Sequence, residues 1–281
     1  MKGASGSYRV VFIGAGNLAT WLAAAMQESG VPVVQVFSRT ASSAMALASR
    51  LGCGWTNDAG KVCGDADLYV FAVRDDALAS TVGQIAPNGG LWVHTAGSMS
   101  LGVFAGVVKR YGVLYPMQTF SRQRRVSFRN IPVFIEASSK EDGLLLGEIA
   151  GRLSEEVHFL SSEQRQQLHL AAVFASSFTN RMYAIAWRLL EAQGLEGRLL
   201  LPLIDETAAK VHDLAPAKAQ TGPAVRHDAG VMKRHLERLG GEKELQELYR
   251  VVSRMIDRQS PVLLAGGGRG KGCVQVGIQG D

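Results

Sequence analysis

The sequence predicts an α/β protein: a doubly wound, parallel sheet followed by an all-helical C-terminal domain. Three observations predict it. Short, β-rich apolar runs alternate with Ala- and Leu-rich helical patterns over residues 8–157. The first strand meets the first helix at closely spaced glycines. Beyond residue 162 strand signals vanish, and long helical patterns take over.

Tyr8–Ile13 is a buried strand ended by Gly14-Ala15-Gly16, and Asn17–Ser29 is a helix stopped by Gly30. Val31–Phe37 and Thr40–Leu51 repeat the unit, with Gly52 as the stop. Further strands are expected at Cys53–Thr56, Leu68–Val73, Leu91–Thr95, Val113–Tyr115 and Pro132–Glu136, and a helix near Asp75-Asp76. Such alternation implies a parallel sheet covered on both faces. Glu163–Gln193 reads as one long helix, with Leu168, Ala172, Ala175, Phe178, Met182, Ile185 and Leu189 at helical spacing. Helices are also expected over Arg198–Ala219, Val225–Leu239 and Glu242–Arg258. The expected domains are residues 1–160 and 161–262, with 263–281, which contains GGGRGKG, as a flexible tail.

Composition excludes several classes. Hydrophobic residues make up 47% of the chain and charged residues 20%, which excludes disorder. No apolar run reaches the roughly 18–20 residues of a membrane span, and no signal-like segment opens the chain, so a cytoplasmic protein is expected. Cys53, Cys63 and Cys273 form no metal-ligand spacing, so no metal is expected. The net charge of +5 favours anionic ligands without identifying one. Arg122, Arg124, Arg125 and Arg129 form a basic cluster. Without interleaved aromatics it reads as a solvated loop rather than a nucleic-acid surface, or as a rim attracting an anionic substrate or cofactor. The apolar long helix predicts a homodimer built on the C-terminal domain.

Gly14-Ala15-Gly16-Asn17-Leu18-Ala19 is G-x-G-x-x-A between a buried strand and a helix, the context that gives this pattern meaning. It predicts a Rossmann dinucleotide site: Gly14 for the tight turn, Gly16 for close approach of the pyrophosphate, Ala19 for close helix packing. The pyrophosphate is expected on the backbone of Gly14, Ala15, Gly16, Asn17 and Leu18, at the positive end of the helix. At the end of the second strand stands Ser38-Arg39-Thr40, without the acid that bonds a ribose 2′-hydroxyl. An arginine between two hydroxyls suits a 2′-phosphate, so NADP is the expected cofactor. The alternative makes Arg39 a solvated residue and Ser38 or Thr40 a helix cap. Val73, Arg74 and Thr95, at later strand ends, complete the expected cofactor contacts.

Catalytic candidates lie beyond the carboxyl ends of the strands and on the long helix. His94 is a candidate proton donor or a structural imidazole, and Ser98 a donor to a substrate oxygen. His169, Ser176, Ser177 and Asn180 are polar residues in apolar surroundings, with Ser176 and Asn180 on one helical face. They line a cleft or a dimer contact. Arg226 and Asp228, at the helix break around Gly222-Pro223, either orient an anionic substrate or pair with each other.

Together GAGNLA, HTAGS, YPMQTF, HLAAVFASSFTNRMY and TGPAVRHD resemble the family that joins a Rossmann-like domain to the domain of unknown function 2520, over about residues 8–260. The resemblance implies an NADP oxidoreductase with a helical, often dimerising C-terminal domain. It also implies kinship with deazaflavin-dependent NADP oxidoreductases, pyrroline-5-carboxylate reductases and β-hydroxyacid dehydrogenases. The last group carries Lys and Asn one turn apart on the long helix, about where Val173 and Ser177 stand here. No lysine occurs on this helix, so a lysine-assisted hydroxyacid mechanism does not carry over. The family tends to an Asn pair where Ser176-Ser177 stands. The expected function is hydride transfer between NADP(H) and a small carbonyl, imine or alcohol, with Ser98 on the substrate oxygen and His94 or water relaying the proton. His169 or Arg226 is expected to face the nicotinamide. The alternative is a regulatory protein that binds NADP without turnover.

Overall fold

The computed structural model describes residues 8–258; the expected tail at 263–281 and Cys273 lie outside the described residues. The chain forms two compact units that divide between Tyr183 and Ala184.

The first unit is built on eight strands: β1 Val10–Ile13, β2 Val33–Phe37, β3 Gly54–Thr56, β4 Leu68–Phe71, β5 Leu91–His94, β6 Tyr111–Pro116, β7 Val133–Ala137 and β8 Val157–Phe159. They lie side by side in the order β3-β2-β1-β4-β5-β6-β7-β8. After β1 the chain runs outward to β3, then returns to place β4 on the other side of β1, creating the crevice that doubly wound sheets use for ligands. Alternate residues of β1 enter opposite cores: Val10 and Phe12 pack with Leu22 and Met26, while Val11 and Ile13 pack with Phe71, Trp92 and Phe104.

Helices α1 Asn17–Glu28, α2 Ala41–Leu51, α3 Asp75–Val82, α4 Lys140–Leu153 and α5 Ser162–Val173 belong to this unit. Two features depart from the sequence reading. Strands β6 and β7 pair antiparallel, whereas every other neighbouring pair is parallel. A parallel return needs a crossover, usually a helix, and the segment between them contains none. Helix α4 and the short strand β8 escape the sequence reading: the helix carries Gly143, Gly147 and Gly151, poor helix signals, and the strand is three residues long. A Cβ on Gly143 or Gly147 would be in ordinary van der Waals contact with the Phe159 ring, at 3.5 and 3.9 Å.

Helix α5 continues through a π-helical turn, Phe174–Phe178, into α6, Thr179–Glu191. The expected single helix is thus present in extent, but its register shifts. The Thr179 hydroxyl donates to the Phe174 carbonyl five residues back, at 3.0 Å.

The second unit contains the end of α6, then α7 Leu201–Asp213, α8 Pro216–Ala219, α9 Ala229–Arg238 and α10 Lys243–Arg258. The helix expected over Arg198–Ala219 breaks at Leu214 and Ala215, both extended before Pro216. The helix expected from Val225 begins only at Ala229, where the Asp228 carboxylate caps it by accepting from Val231 N at 3.0 Å. The Gln246 amide ties α10 to the end of α9 by donating to the Leu236 and Gly240 carbonyls at 2.9 and 2.8 Å.

Candidate active site

The glycine-rich turn has the geometry a dinucleotide needs. Gly14 adopts φ +117°, and a Cβ there would stand 2.3 Å from the Ala72 carbonyl oxygen, so only glycine lets β1 turn beside β4. Its N–H donates to the Phe37 carbonyl at 2.7 Å, closing the turn against β2. A Cβ on Gly16 would meet nothing within 4 Å, so the space over the turn is open. Helix α1 starts here with no side-chain cap and no acid in its first turn, which leaves its positive end available to an anion. Ala15 is buried in the turn, Leu18 half-buried and Asn17 exposed, its amide donating to Phe120 O at 3.1 Å.

At the end of β2, Arg39 and Thr40 are exposed and Ser38 is half-buried. Thr40 occupies the N-cap position of α2 without a side-chain cap bond, and the Arg39 guanidinium makes no ion pair among the described residues. At the end of β4, Val73 is half-buried, while exposed Arg74 pairs with Asp76 at 2.6 Å. Thr95 is buried with its hydroxyl turned to the Phe71 carbonyl at 3.4 Å, so it braces β5 against β4 instead of facing the crevice.

His94 corrects an expectation. It is fully buried against Phe104, its Nδ1 accepts from Ala96 N at 3.2 Å, and its Nε2 has no partner among the described residues. Burial first, then the Arg165 guanidinium, pushes its pKa down to about 3. A neutral imidazole sealed in the core is no proton donor to a substrate. Ser98 behaves otherwise. It is exposed, and its hydroxyl donates to the Asp75 carboxylate at the start of α3.

Beside Ser98, strand β6 and helix α5 bring two groups together. The Tyr115 hydroxyl lies 3.0 Å from His169 Nδ1, within hydrogen-bond distance. Gly97 makes this approach possible: a Cβ there would stand 2.5 Å from His169 Nδ1 and 2.9 Å from Tyr115 Cζ. Burial, and secondarily the Asp75 carboxylate, raises the Tyr115 pKa, with Arg165 opposing. The phenol is therefore a protonated donor at neutral pH. The pair lines a cavity of about 490 Å³ together with Met117, Gln118, Thr119, Leu168 and the α5–π segment from Ala171 to Ser177. Among the described residues no Lys, Arg, Asp or Glu lines it. Val173 and Ser177 both contribute, whereas Asn180 does not.

Buried Arg165 holds this wall in place. It pairs with Glu136 of β7 and donates to the Met99 carbonyl, while Gln166 donates to the Ser98 carbonyl at 2.9 Å. Helix α5 thus grips the turn after β5 and joins the first unit, although composition alone groups it with the later helices. Arg226 belongs to the second unit, where it is exposed. Its expected partner Asp228 is engaged as a helix cap, and His227 pairs with Asp257 at 2.9 Å.

Comparisons with known proteins show the family and the fold. Residues 9–96 match the coenzyme F420-dependent NADP oxidoreductase family, and residues 131–256 match the domain of unknown function 2520. A Bacteroides fragilis protein assigned as an NADP oxidoreductase is 49% identical, with 90% of this chain and 98% of that one covered and a TM-score of 0.86. The chain belongs to this family of NADP oxidoreductases. A Thermotoga maritima protein shares the fold at 20% identity, with coverage of 90% and 98% and a TM-score of 0.67. A reductive aminase of Aspergillus terreus, solved with NADPH, cyclohexanone and allyl amine, shares it at 15% identity, with coverage of 92% and 95% and a TM-score of 0.66. No curated protein matches.

NADP is the cofactor of this family, and the residues present fit it: an open glycine turn, an uncapped helix start and an unpaired arginine where the 2′-phosphate is expected. Sequence reasoning did not single out Tyr115 or Arg165 as candidate site residues, and it placed Asp75 at a strand end without a role. Tyr115 heads the YPMQTF segment, yet a tyrosine ending an apolar strand reads as core. Only its distance to His169, 54 residues away, reveals it.

Proposed function

We propose that this oxidoreductase transfers a hydride between NADP(H) and a small carbonyl, imine or alcohol seated in the cavity beside Tyr115 and His169. The observation that supports it is a polar Tyr–His pair in an otherwise apolar cavity, adjoining the Ser98 turn after β5. NADP supplies the hydride chemistry when bound. Tyr115 bonds the substrate oxygen or nitrogen and gives up its proton, and His169 positions the phenol and re-protonates it. Ser98, held by Asp75, offers a second hydroxyl at the rim. The apolar wall from Leu168 to Ala175 excludes water around the reacting bond.

Among the described residues no Lys or Arg lines the cavity, so a carboxylate substrate finds no permanent positive charge there. An uncharged ketone, aldehyde or imine suits the cavity better than the anionic substrate anticipated from composition. A dinucleotide-dependent reaction and two free cysteines, Cys53 and Cys63, suit the reducing cytoplasm.

We also propose a homodimer through the second unit. Ala224 is its single buried hydrophobic residue among those described, while Leu199 and Leu203 are each 63% exposed. Light scattering should give twice the 30.1 kDa chain mass; a monomer at micromolar concentration removes this reading.

The catalytic test is NADPH oxidation against a panel of uncharged ketones, aldehydes and cyclic imines, with keto acids alongside. Turnover confined to uncharged substrates is expected. Tight NADPH binding with no turnover across the panel would favour a dinucleotide-binding regulator, the reading to which the sealed-off His94 lends weight.

A further inference from the structure

The segment after β6 is fastened as a strap beside the glycine-rich turn and the start of α1. Three hydrogen bonds fasten it: Asn17 Nδ2 donates to Phe120 O at 3.1 Å, Trp21 Nε1 to Ser121 O at 2.7 Å, and Arg122 to Ala15 O at 3.1 Å. Phe120 stacks on Phe128 with ring centroids 5.6 Å apart, and Arg125 pairs with Glu28 of α1 at 2.8 Å. The strap is thus anchored on both sides of Arg122.

The cationic groups of the strap have different tasks. Arg125 and Arg129 are neutralised by Glu28 and Glu155. Neither Arg122 nor Arg124 has a carboxylate partner among the described residues, and of the two it is Arg122 whose guanidinium rests on the carbonyl of Ala15, the middle residue of G-x-G. One N–H is engaged there, and a guanidinium has five to offer. The pyrophosphate of a dinucleotide carries two negative charges, and the first turn of α1 meets them with backbone N–H groups alone, since it contains no basic side chain.

The geometry points to Arg122 as the residue that holds the cofactor pyrophosphate from the strap side, opposite the helix start. It is a cofactor-binding residue separate from Arg39: Arg39 serves the 2′-phosphate that distinguishes NADP from NAD, and Arg122 serves the pyrophosphate common to both. The inference rests on the family reading of the glycine turn and is independent of the substrate.

The test is fluorescence titration of the full chain with NADPH and with NADH. Arg122→Ala should weaken both by the same factor, roughly tenfold, as expected for one charge-assisted bond to phosphate. Arg122→Lys should recover part of the loss. Arg129→Ala removes the same charge from the same segment and should change neither affinity. Thermal unfolding without cofactor separates folding from binding, and Arg122→Lys serves if the alanine variant does not fold. Unchanged affinities in Arg122→Ala, a loss confined to NADPH, or an equal loss in Arg129→Ala overturns the assignment while leaving the family reading intact. A wild-type chain that binds neither dinucleotide overturns both.

Discussion

The Tyr115 hydroxyl and the His169 imidazole meet at 3.0 Å across the seam between strand β6 and helix α5, over a glycine, Gly97, that leaves no room for a methyl group. A buried phenol bonded to an imidazole is a donor with a route for its proton. Tyr115→Phe keeps the shape and removes the proton. Turnover of whichever panel substrate is active should fall by about 10²-fold or more, with NADPH affinity unchanged. Full activity in Tyr115→Phe would assign proton transfer elsewhere, with Ser98 the next candidate.

The two glycines of the cofactor turn should fail in different ways. Gly14→Ala forces a side chain into φ +117° and against the Ala72 backbone at 2.3 Å, so it should cost at least about 2 kcal/mol of stability. Gly16→Ala meets open space, so it should fold normally and lose NADPH affinity, because the methyl occupies the approach of the phosphates. Urea unfolding of each variant with and without NADPH checks both outcomes. Equal stability losses would contradict the distinction.

Arg39 makes no ion pair among the described residues and stands at the end of β2 with Ser38 and Thr40 beside it. NADPH should bind at least tenfold more tightly than NADH, a difference of about 1.4 kcal/mol. Arg39→Ala should erase the preference and leave NADH binding as it was. Calorimetry that finds equal wild-type affinities disposes of the argument.

His94 makes the fold acid-sensitive. Its pKa drops from 6.5 to about 3 on burial. Between those values the unfolded chain holds a proton that the folded chain refuses. Stability present above pH 6.5 is therefore lost as pH falls towards 3, by roughly 5 kcal/mol at most. His94→Gln keeps an acceptor for the Ala96 N–H and cannot titrate, so its stability should decline less across this window. Parallel pH profiles for wild type and variant, measured by urea midpoints, would show that other groups govern acid unfolding.

The local chain determined what depends on neighbours in sequence. The strand–glycine–helix junction at Gly14–Ala19, the missing acid at Ser38-Arg39-Thr40 and the alternation of strands and helices were legible because the period and spacing of residues encode them. Ser98 was legible for the same reason, as a hydroxyl just past a strand end. Tertiary structure decided the rest. His94 and Ser98 stand four residues apart in one turn, yet one is walled into the core and the other faces Asp75. His169 stands out in the sequence as a polar residue on an apolar helix, but its partner Tyr115 reads as a strand end until β6 and α5 pack together. The π turn at Phe174–Phe178 interrupts the 3.6-residue repeat of the long helix, which residue identity does not announce. Arg122 reads as one of several loop arginines until the strap lays it on Ala15. Burial and pairing are properties of groups brought together from distant parts of the chain, and a periodic pattern carries information only about residues a few positions apart.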